Sequence, residues 1–485
     1  MEDNVIQKNE FISDTGGKTS IDEEIIKERK EKVIKFLKTK YNWIVYVALA
    51  FIVYLSVKIR TLNMPGLKDI TMNDWTLGPD LDPFFFLRMA KYIVEHGTLF
   101  AVDTMRYVPL GLSIQEEYIL HPYLIAYFHK FATFFGSESV TYSAIIYPVF
   151  MFALTVIAFF FLSRRIVLED FGKVRASIAG LISAFFLAVI PIFMPRTIAG
   201  IPEKEAASFL FMFLAFYFFI CSYKSEKNTS RYIFAAFGGL ATAAMANIWG
   251  GYIFIFLTIS TGVFVSFLLG QVNKEKTYAY AAWVFSSYLF MYLISSVRYS
   301  LFGIISSTYV VSSLGVLFII LMHEALFKTN IKNYFYKGKL AKVPPRIVSS
   351  VISLVLLALI ATLVLGTSFI PSQINNLIDN LISPASSRLI QTVAENKQPY
   401  LLEWQGNFGP LFRGIPIVFW LFFLGSIYLF YKTVYMFKKK EKIYLTAAFG
   451  LFLFGITFSR YHPDSIFNGT NFMSLLFYFG GFAVF

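Results

Sequence analysis

Residues 118–135 read YILHPYLIAYFHKFATFF, and whether this run crosses a membrane decides the arrangement of everything after it. It is apolar enough for a crossing. A span here, however, would carry the next loop, SRRIVLEDFGKVR (163–175), to the far side and invert every later basic loop. Loops rich in Lys and Arg stay on the cytosolic side. The loops 163–175, SYKSEKNTSR (222–231), QVNKEK (271–276), KTNIKNYFYKGKLAKVPPR (328–346) and FKKKEK (437–442) form one basic set, alternating with loops that lack such clusters. The alternation is kept if 118–135 is an interfacial or re-entrant helix within the first external loop. Its two histidines, His121 and His129, then sit near the interface, where a structural role is expected for each.

Composition agrees with a polytopic, all-α membrane protein. The 485 residues are 56% hydrophobic and only 15% charged, and the mean hydropathy is +0.60. Apolar runs of about 17–25 residues recur, the length a helix needs to cross a bilayer, and the short alternation of an outer-membrane barrel is absent. The net charge of +13 reports loop orientation and contact with anionic headgroups. No aromatic-basic module accompanies it, so nucleic acid is not an expected partner. The single cysteine, Cys221, excludes an intramolecular disulfide. The first 30 residues lack the apolar core of a cleavable signal, so the first span is expected to act as an uncleaved anchor.

About twelve spans are expected, at 43–59, 140–163, 174–193, 205–222, 233–249, 251–270, 278–297, 300–325, 348–370, 414–435, 443–459 and 471–485. Residues 1–42 form a basic cytosolic tail ahead of a membrane domain, 43–485. The segments 60–139, 194–204, 371–413 and 460–470 fall on the outer face of a multi-pass cell-membrane protein.

Charge at membrane edges is ordinary when taken one residue at a time. In DLDPFFFLRMAKYIVEHG (80–97), Asp82 before Pro83 fits a helix N-cap, yet a cap needs one acid and Asp80 stands two residues earlier. In RTIAGIPEKE (196–205), Glu203 and Glu205 stand where an extended segment enters a helix. Acids favour a helix N-terminus by about 0.3–1 kcal/mol. The same pair can share a hard divalent cation such as Mg²⁺ or Mn²⁺, leaving places for water and phosphate. Glu395 lies in a long outer loop, and Arg460 in GITFSRYHPDSIF (455–467) sits at the outer end of a span. An arginine there snorkels to headgroups or grips the pyrophosphate of a lipid substrate, since its planar fork suits phosphate oxygens. Three acidic sites and one arginine on one face point to an enzyme acting on a lipid-phosphate sugar donor.

These stretches, in order, resemble the catalytic subunit of oligosaccharyltransferase in its archaeal form. DLDPFFFLRMAKYIVEHG is similar to the family's first-loop pattern, and RTIAGIPEKE to its Arg-Thr/Ser-x-x-Gly stretch with the following acidic pair. NIWGGYIF (247–254) resembles its Trp-Gly-Gly segment, QTVAENKQP (391–399) its fifth-loop glutamate motif, and Arg460 its donor-pyrophosphate arginine. The resemblance implies the GT-C fold, normally of thirteen spans, and a Mn²⁺ or Mg²⁺ cofactor. It implies a dolichol-linked oligosaccharide donor, an acceptor asparagine in Asn-x-Ser/Thr, and a single-subunit enzyme. Asp82, Glu203 and Glu205 would hold the metal, with Asp82 and Glu395 engaging the acceptor amide and Arg460 the lipid phosphate.

Three departures stand out. Glu203 replaces the usual aspartate, and Ala394 stands where serine is common. The WWDYG motif that reads the sequon's Ser/Thr has no counterpart, and IWGGY (248–252) lies between spans. The chain ends at Phe485 inside an apolar run, so one span and a soluble domain of the family pattern are expected to be missing. The competing readings are another GT-C glycosyltransferase, such as a protein O-mannosyl or lipid glycosyl transferase, and a lipid-linked sugar transporter. The glutamate motif around Glu395 speaks against the former. The outer-edge charges and the lack of a visible inverted repeat speak against the latter.

Overall fold

The computed structural model describes residue 29 and residues 41–114, 117–137, 139–382 and 399–484. The first helix, α1 (Tyr41–Arg60), matches the expected first span and ends on a buried arginine. A buried guanidinium must find partners. Arg60 donates from Nε to Thr197 Oγ1 at 2.8 Å and from Nη1 to the Ala188 carbonyl at 2.7 Å, and lies 3.8 Å over the Phe152 ring. It thereby fastens the end of α1 to the segment that leads into the acidic triplet.

Between the first two spans lie α2 (Asp82–His96), a short antiparallel hairpin of β1 (Val102–Asp103) and β2 (Leu112–Ser113), and α3 (Leu120–Thr133). At 14 residues, α3 is too short to cross a bilayer, which takes about 20. Five of its residues, including both histidines, are buried. It packs on α2 and on α4 (Val140–Val189). The latter is two helices joined at Gly172, whose φ of 72° and ψ of 172° break the helical path. The break falls inside the basic loop expected at 163–175.

The bundle continues through α5 (Lys204–Tyr223), α6 (Asn228–Ala246), α7 (Ile253–Leu268) and α8 (Lys274–Ile294). Without water to drive association between helices, close backbone approach matters most. Small residues supply it where α6 meets α8: a Cβ on Gly239 would lie 2.1 Å from Ser286 Oγ. The span expected at 300–325 is divided into α9 (Leu301–Ser306) and α10 (Thr308–Phe327) by Ser307, whose ψ of 107° is extended. Ahead of the break, Ser306 Oγ donates to the Phe302 carbonyl one turn back, a bond that competes with the backbone ladder.

Beyond α10 follow a short turn of helix, α11 (Lys332–Phe335), then α12 (Pro345–Leu365) and α13 (Phe369–Ile382). The expected outer segment 371–413 therefore holds helix at both described ends, the second being Leu401–Asn407. Helices Ile417–Thr433, Lys439–Phe458 and Phe472–Val484 complete the order. Among the described residues, seven helices are long and apolar enough to cross a membrane, the 50-residue α4 counting as one.

Candidate functional site

The segment 196–205 is held from several sides before it reaches its carboxylates. Ala199 N–H donates to the Arg60 carbonyl at 2.9 Å, and Asn63 Nδ2 donates to the Ala199 carbonyl at 2.8 Å. Gly200 N–H donates to the Ile145 carbonyl at 3.0 Å, while its own carbonyl accepts from Gly78 N–H at 2.8 Å. Gly200 has φ of +86°, and a Cβ there would lie 2.6 Å from Leu67 Cδ1. Only glycine meets both demands. The stretch just before Asp80 is thus hydrogen-bonded directly to the stretch just before Glu203.

Glu203 is the N-cap of α5, with extended φ/ψ of −79° and 157°, and Glu205 lies in the first turn. This is the extended-to-helix junction expected from the sequence. Both residues are buried. Arg196 reaches across from Nη1 to Glu203 Oε1 at 3.1 Å and to Asp80 Oδ2 at 3.4 Å. Burial first, then the charge of Glu205, pushes the Glu203 carboxyl up to about 7. Arg196 opposes the shift, and the charges of Asp82 and Asp80 add to it. The structure therefore brings Asp80, Asp82, Glu203 and Glu205 into one electrostatic neighbourhood from two distant stretches of chain.

Asp82 corrects the expectation of a helix cap. It is the first residue of α2, the N-cap is Leu81, and no side-chain cap bond is made. Pro83 supplies the fixed backbone that starts the helix. The Asp82 carboxylate is exposed rather than spent on the helix end.

Beneath these carboxylates lies His121. It is fully buried, and its Nε2 is 2.9 Å from the Pro202 carbonyl, next in chain to Glu203. Its ring meets Phe86 of α2 edge-on at 4.8 Å. Burial above all lowers its pKa to about 4, so the ring is neutral and donates Nε2–H to that carbonyl. His129 is buried as well, against Ser143 Oγ at 2.9 Å. The structural role expected for both is met, and His121 ties α3 to the Asp82 helix and to the Glu203 segment.

The Trp-Gly-Gly stretch closes one side. Trp249 packs on Phe209 at 6.0 Å between centroids. A Cβ on Gly251 would lie 2.1 Å from the Trp249 ring, so the glycine admits the ring against the backbone. Leu120 N–H donates to the Asn247 carbonyl at 3.1 Å, joining α3 to the end of α6.

Arg460 belongs to the last three helices. Its guanidinium lies 4.3 Å over the Tyr400 ring, and its carbonyl accepts from Leu401 N–H at 3.0 Å. Helix Leu401–Asn407 in turn packs against Pro191–Phe193, just ahead of Arg196. Glu395 lies outside the described residues.

Among the described residues, no three His, Cys, Asp or Glu side chains stand close enough together to hold a metal ion. In their chemistry, Asp82, Glu203 and Glu205 still fit a hard divalent cation. All are carboxylates, and after burial it is the charge of Glu205 that does most to raise the Glu203 pKa, with Asp82 and Asp80 adding to it.

Arg196 escapes a reading based on the acidic motif alone. Its signal is a lone arginine on a loop of the non-basic set, seven residues before Glu203.

A family model described as oligosaccharyl transferase STT3, N-terminal, matches residues 71–370. The dolichyl-diphosphooligosaccharide–protein glycosyltransferase subunit STT3 of Saccharomyces cerevisiae is 26% identical over 212 residues, covering 42% of this chain and 28% of that protein. The subunit STT3A of Oryza sativa subsp. japonica is 28% identical over 230 residues, covering 46% and 27%. Among solved structures, the archaeal oligosaccharyltransferase AglB from Archaeoglobus fulgidus, in complex with an inhibitory peptide and a dolichol-phosphate, is similar with a TM-score of 0.61 and 18% identity. That match covers 92% of this chain and 50% of that one. The A. fulgidus enzyme in complex with Zn and sulfate gives a TM-score of 0.52 and 19% identity, covering 89% and 53%. The matches thus reach about half the length of the solved structures and about a quarter of the curated relatives.

Proposed function

The chain belongs to the oligosaccharyl transferase STT3 family, and from that membership we propose that it provides the membrane-embedded catalytic part of a protein N-glycosylation enzyme. The reaction is transfer of an oligosaccharide from a dolichol-type lipid (pyro)phosphate to asparagine in Asn-x-Ser/Thr. The observation that carries the reading is the meeting of Asp80, Asp82 and Glu205 around Glu203, with Arg196 bridging Asp80 and Glu203, inside the matched stretch 71–370.

An amide nitrogen is a poor nucleophile because its lone pair is delocalised into the carbonyl. Carboxylates that accept both of its N–H bonds favour a twisted, localised form and aim it at the anomeric carbon. Asp82 is the first acceptor, since its carboxylate is exposed and makes no cap bond. Glu395 is the second, on the strength of the fifth-loop motif. Arg460 binds the departing lipid phosphate through its planar fork, and displacement inverts the anomeric centre. Arg196 holds Glu203 and Asp80 in place. Mn²⁺ or Mg²⁺, held by Asp82, Glu203 and Glu205, would supply charge neutralisation at the leaving phosphate.

About twelve crossings, with α4 counted as two, put the tail in the cytosol and these residues on the outer face of the cell membrane. The single-subunit expectation gains no support from curated relatives named as subunits. In a preparation that glycosylates a fluorescent Asn-x-Thr peptide from a lipid-linked oligosaccharide, Asp82→Asn should cut turnover about 100-fold or more. Unchanged turnover would overturn the assignment.

A further inference from the structure

Lys204 and Arg298 are cations to which the reading above gives no role. They come from different junctions, the first residue of α5 and the turn between α8 and α9, yet both lie against one phenol ring. The Arg298 guanidinium carbon is 3.8 Å from the Tyr118 centroid. Lys204 Nζ is 5.9 Å from the same centroid and 5.4 Å from that of Phe86. Two more phenols close on the arginine. Its Nε donates to Tyr299 Oη at 3.3 Å, and the Tyr252 ring is 6.1 Å from that of Tyr299. A cavity of about 320 Å³ opens beside them, lined by Arg298, Tyr252, Tyr299, Gly303 and Ser307 among others.

The surroundings hold this arrangement in place. Tyr299 Oη donates to the Ala246 carbonyl. A Cβ on Gly250 would lie 3.1 Å from Tyr118 Oη, so the glycine leaves room for the phenol. The Arg298 guanidinium, a fork of N–H donors, lines a cavity that also carries hydroxyl groups. Such a cavity suits an oxyanion. Lys204, which stands between Glu203 and Glu205 in the chain, links this group to the carboxylate cluster through the Tyr118 ring it shares with Arg298.

We propose that Lys204, Tyr118 and Arg298, with the hydroxyls lining the cavity, form an oxyanion subsite for a phosphate-type group, distinct from Arg460. The chemistry is common to the phosphate of a lipid-linked donor and to free (pyro)phosphate. Choosing the donor lipid as a probe rests on the transfer reading; the subsite itself rests on these contacts.

The test uses the whole chain in lipid nanodiscs and measures binding of polyprenyl phosphate, polyprenol and inorganic pyrophosphate. Arg298→Gln should weaken polyprenyl phosphate binding about tenfold or more, and Lys204→Gln a few-fold, with polyprenol unaffected. Arg298→Lys keeps the charge, should fall between wild type and Arg298→Gln, and guards against misfolding as the cause. A parallel loss for pyrophosphate identifies a general oxyanion site, and a loss confined to polyprenyl phosphate identifies a lipid-donor site; either supports the proposal. Unchanged affinity in Arg298→Gln, or an equal loss for polyprenol, overturns it. Absence of glycan transfer by the wild-type preparation would count against the transfer reading and leave these binding comparisons intact.

Discussion

The two halves of the proposed site are built on differently packed parts of the molecule. The carboxylate half stands on α4 and α5, where 61% and 50% of the most apolar stretch is buried within the protein. Arg460 follows helix Lys439–Phe458, where the same share is 11%. In the first region, small residues let backbones touch and buried polar groups pin the connecting segments. In the second, close approach is local, as where a Cβ on Gly455 would lie 2.6 Å from the Phe477 carbonyl, and most aromatic surface faces outward. Among the described residues, then, protein packing fixes the acidic groups, whereas the arginine follows a helix most of whose apolar surface no other described residue covers. A site that must hold like charges together needs packing of the first kind to position them.

Stability measurements give the sharpest way to break this contrast. Phe152→Ala removes a fully buried ring that also carries the Arg60 guanidinium. It should cost about 2–4 kcal/mol in a detergent unfolding assay, chiefly through the cavity and the stranded cation. Leu451→Ala, on the exposed face of Lys439–Phe458, should cost under about 0.5 kcal/mol. Equal costs would dissolve the distinction. Arg460→Ala should behave oppositely, lowering transfer about 100-fold through the donor while barely moving the melting midpoint. Gly200→Ala should fall between, losing about 2 kcal/mol because φ of +86° and the Leu67 side chain both oppose a Cβ.

Much of this was legible in the sequence. Loop charge gave 118–135 as an interfacial or re-entrant helix rather than a span, and the structure has the 14-residue helix Leu120–Thr133. Apolar run length gave 43–59 as the first span, found at Tyr41–Arg60, and the stretch RTIAGIPEKE gave the acidic pair at an extended-to-helix junction. Hydropathy failed where helices begin or break on polar residues: α6 starts at Asn228 rather than 233, and Ser307 divides an apolar run. Spacing along the chain also cannot report which side chain a carboxylate uses. Asp82 looked like a cap and makes no cap bond. The partnership of Arg196 with Asp80, 116 residues away, exists only in the fold.

Glu203 links packing to chemistry most directly. Its folded value of about 7 lies above the ordinary 4.5. Between those pH values the folded protein holds a proton that the unfolded chain has released. The contribution to stability is therefore full below about 4.5 and lost as pH rises through about 7, by at most about 3 kcal/mol. Glu203→Gln should flatten that decline and raise the melting midpoint above wild type at pH 8 without metal. The decisive measurement is the rate of glycan transfer to an Asn-x-Thr peptide by this same stabilised variant. A fall of about 100-fold or more in a protein that melts higher is the predicted result; turnover within about twofold of wild type would contradict the account.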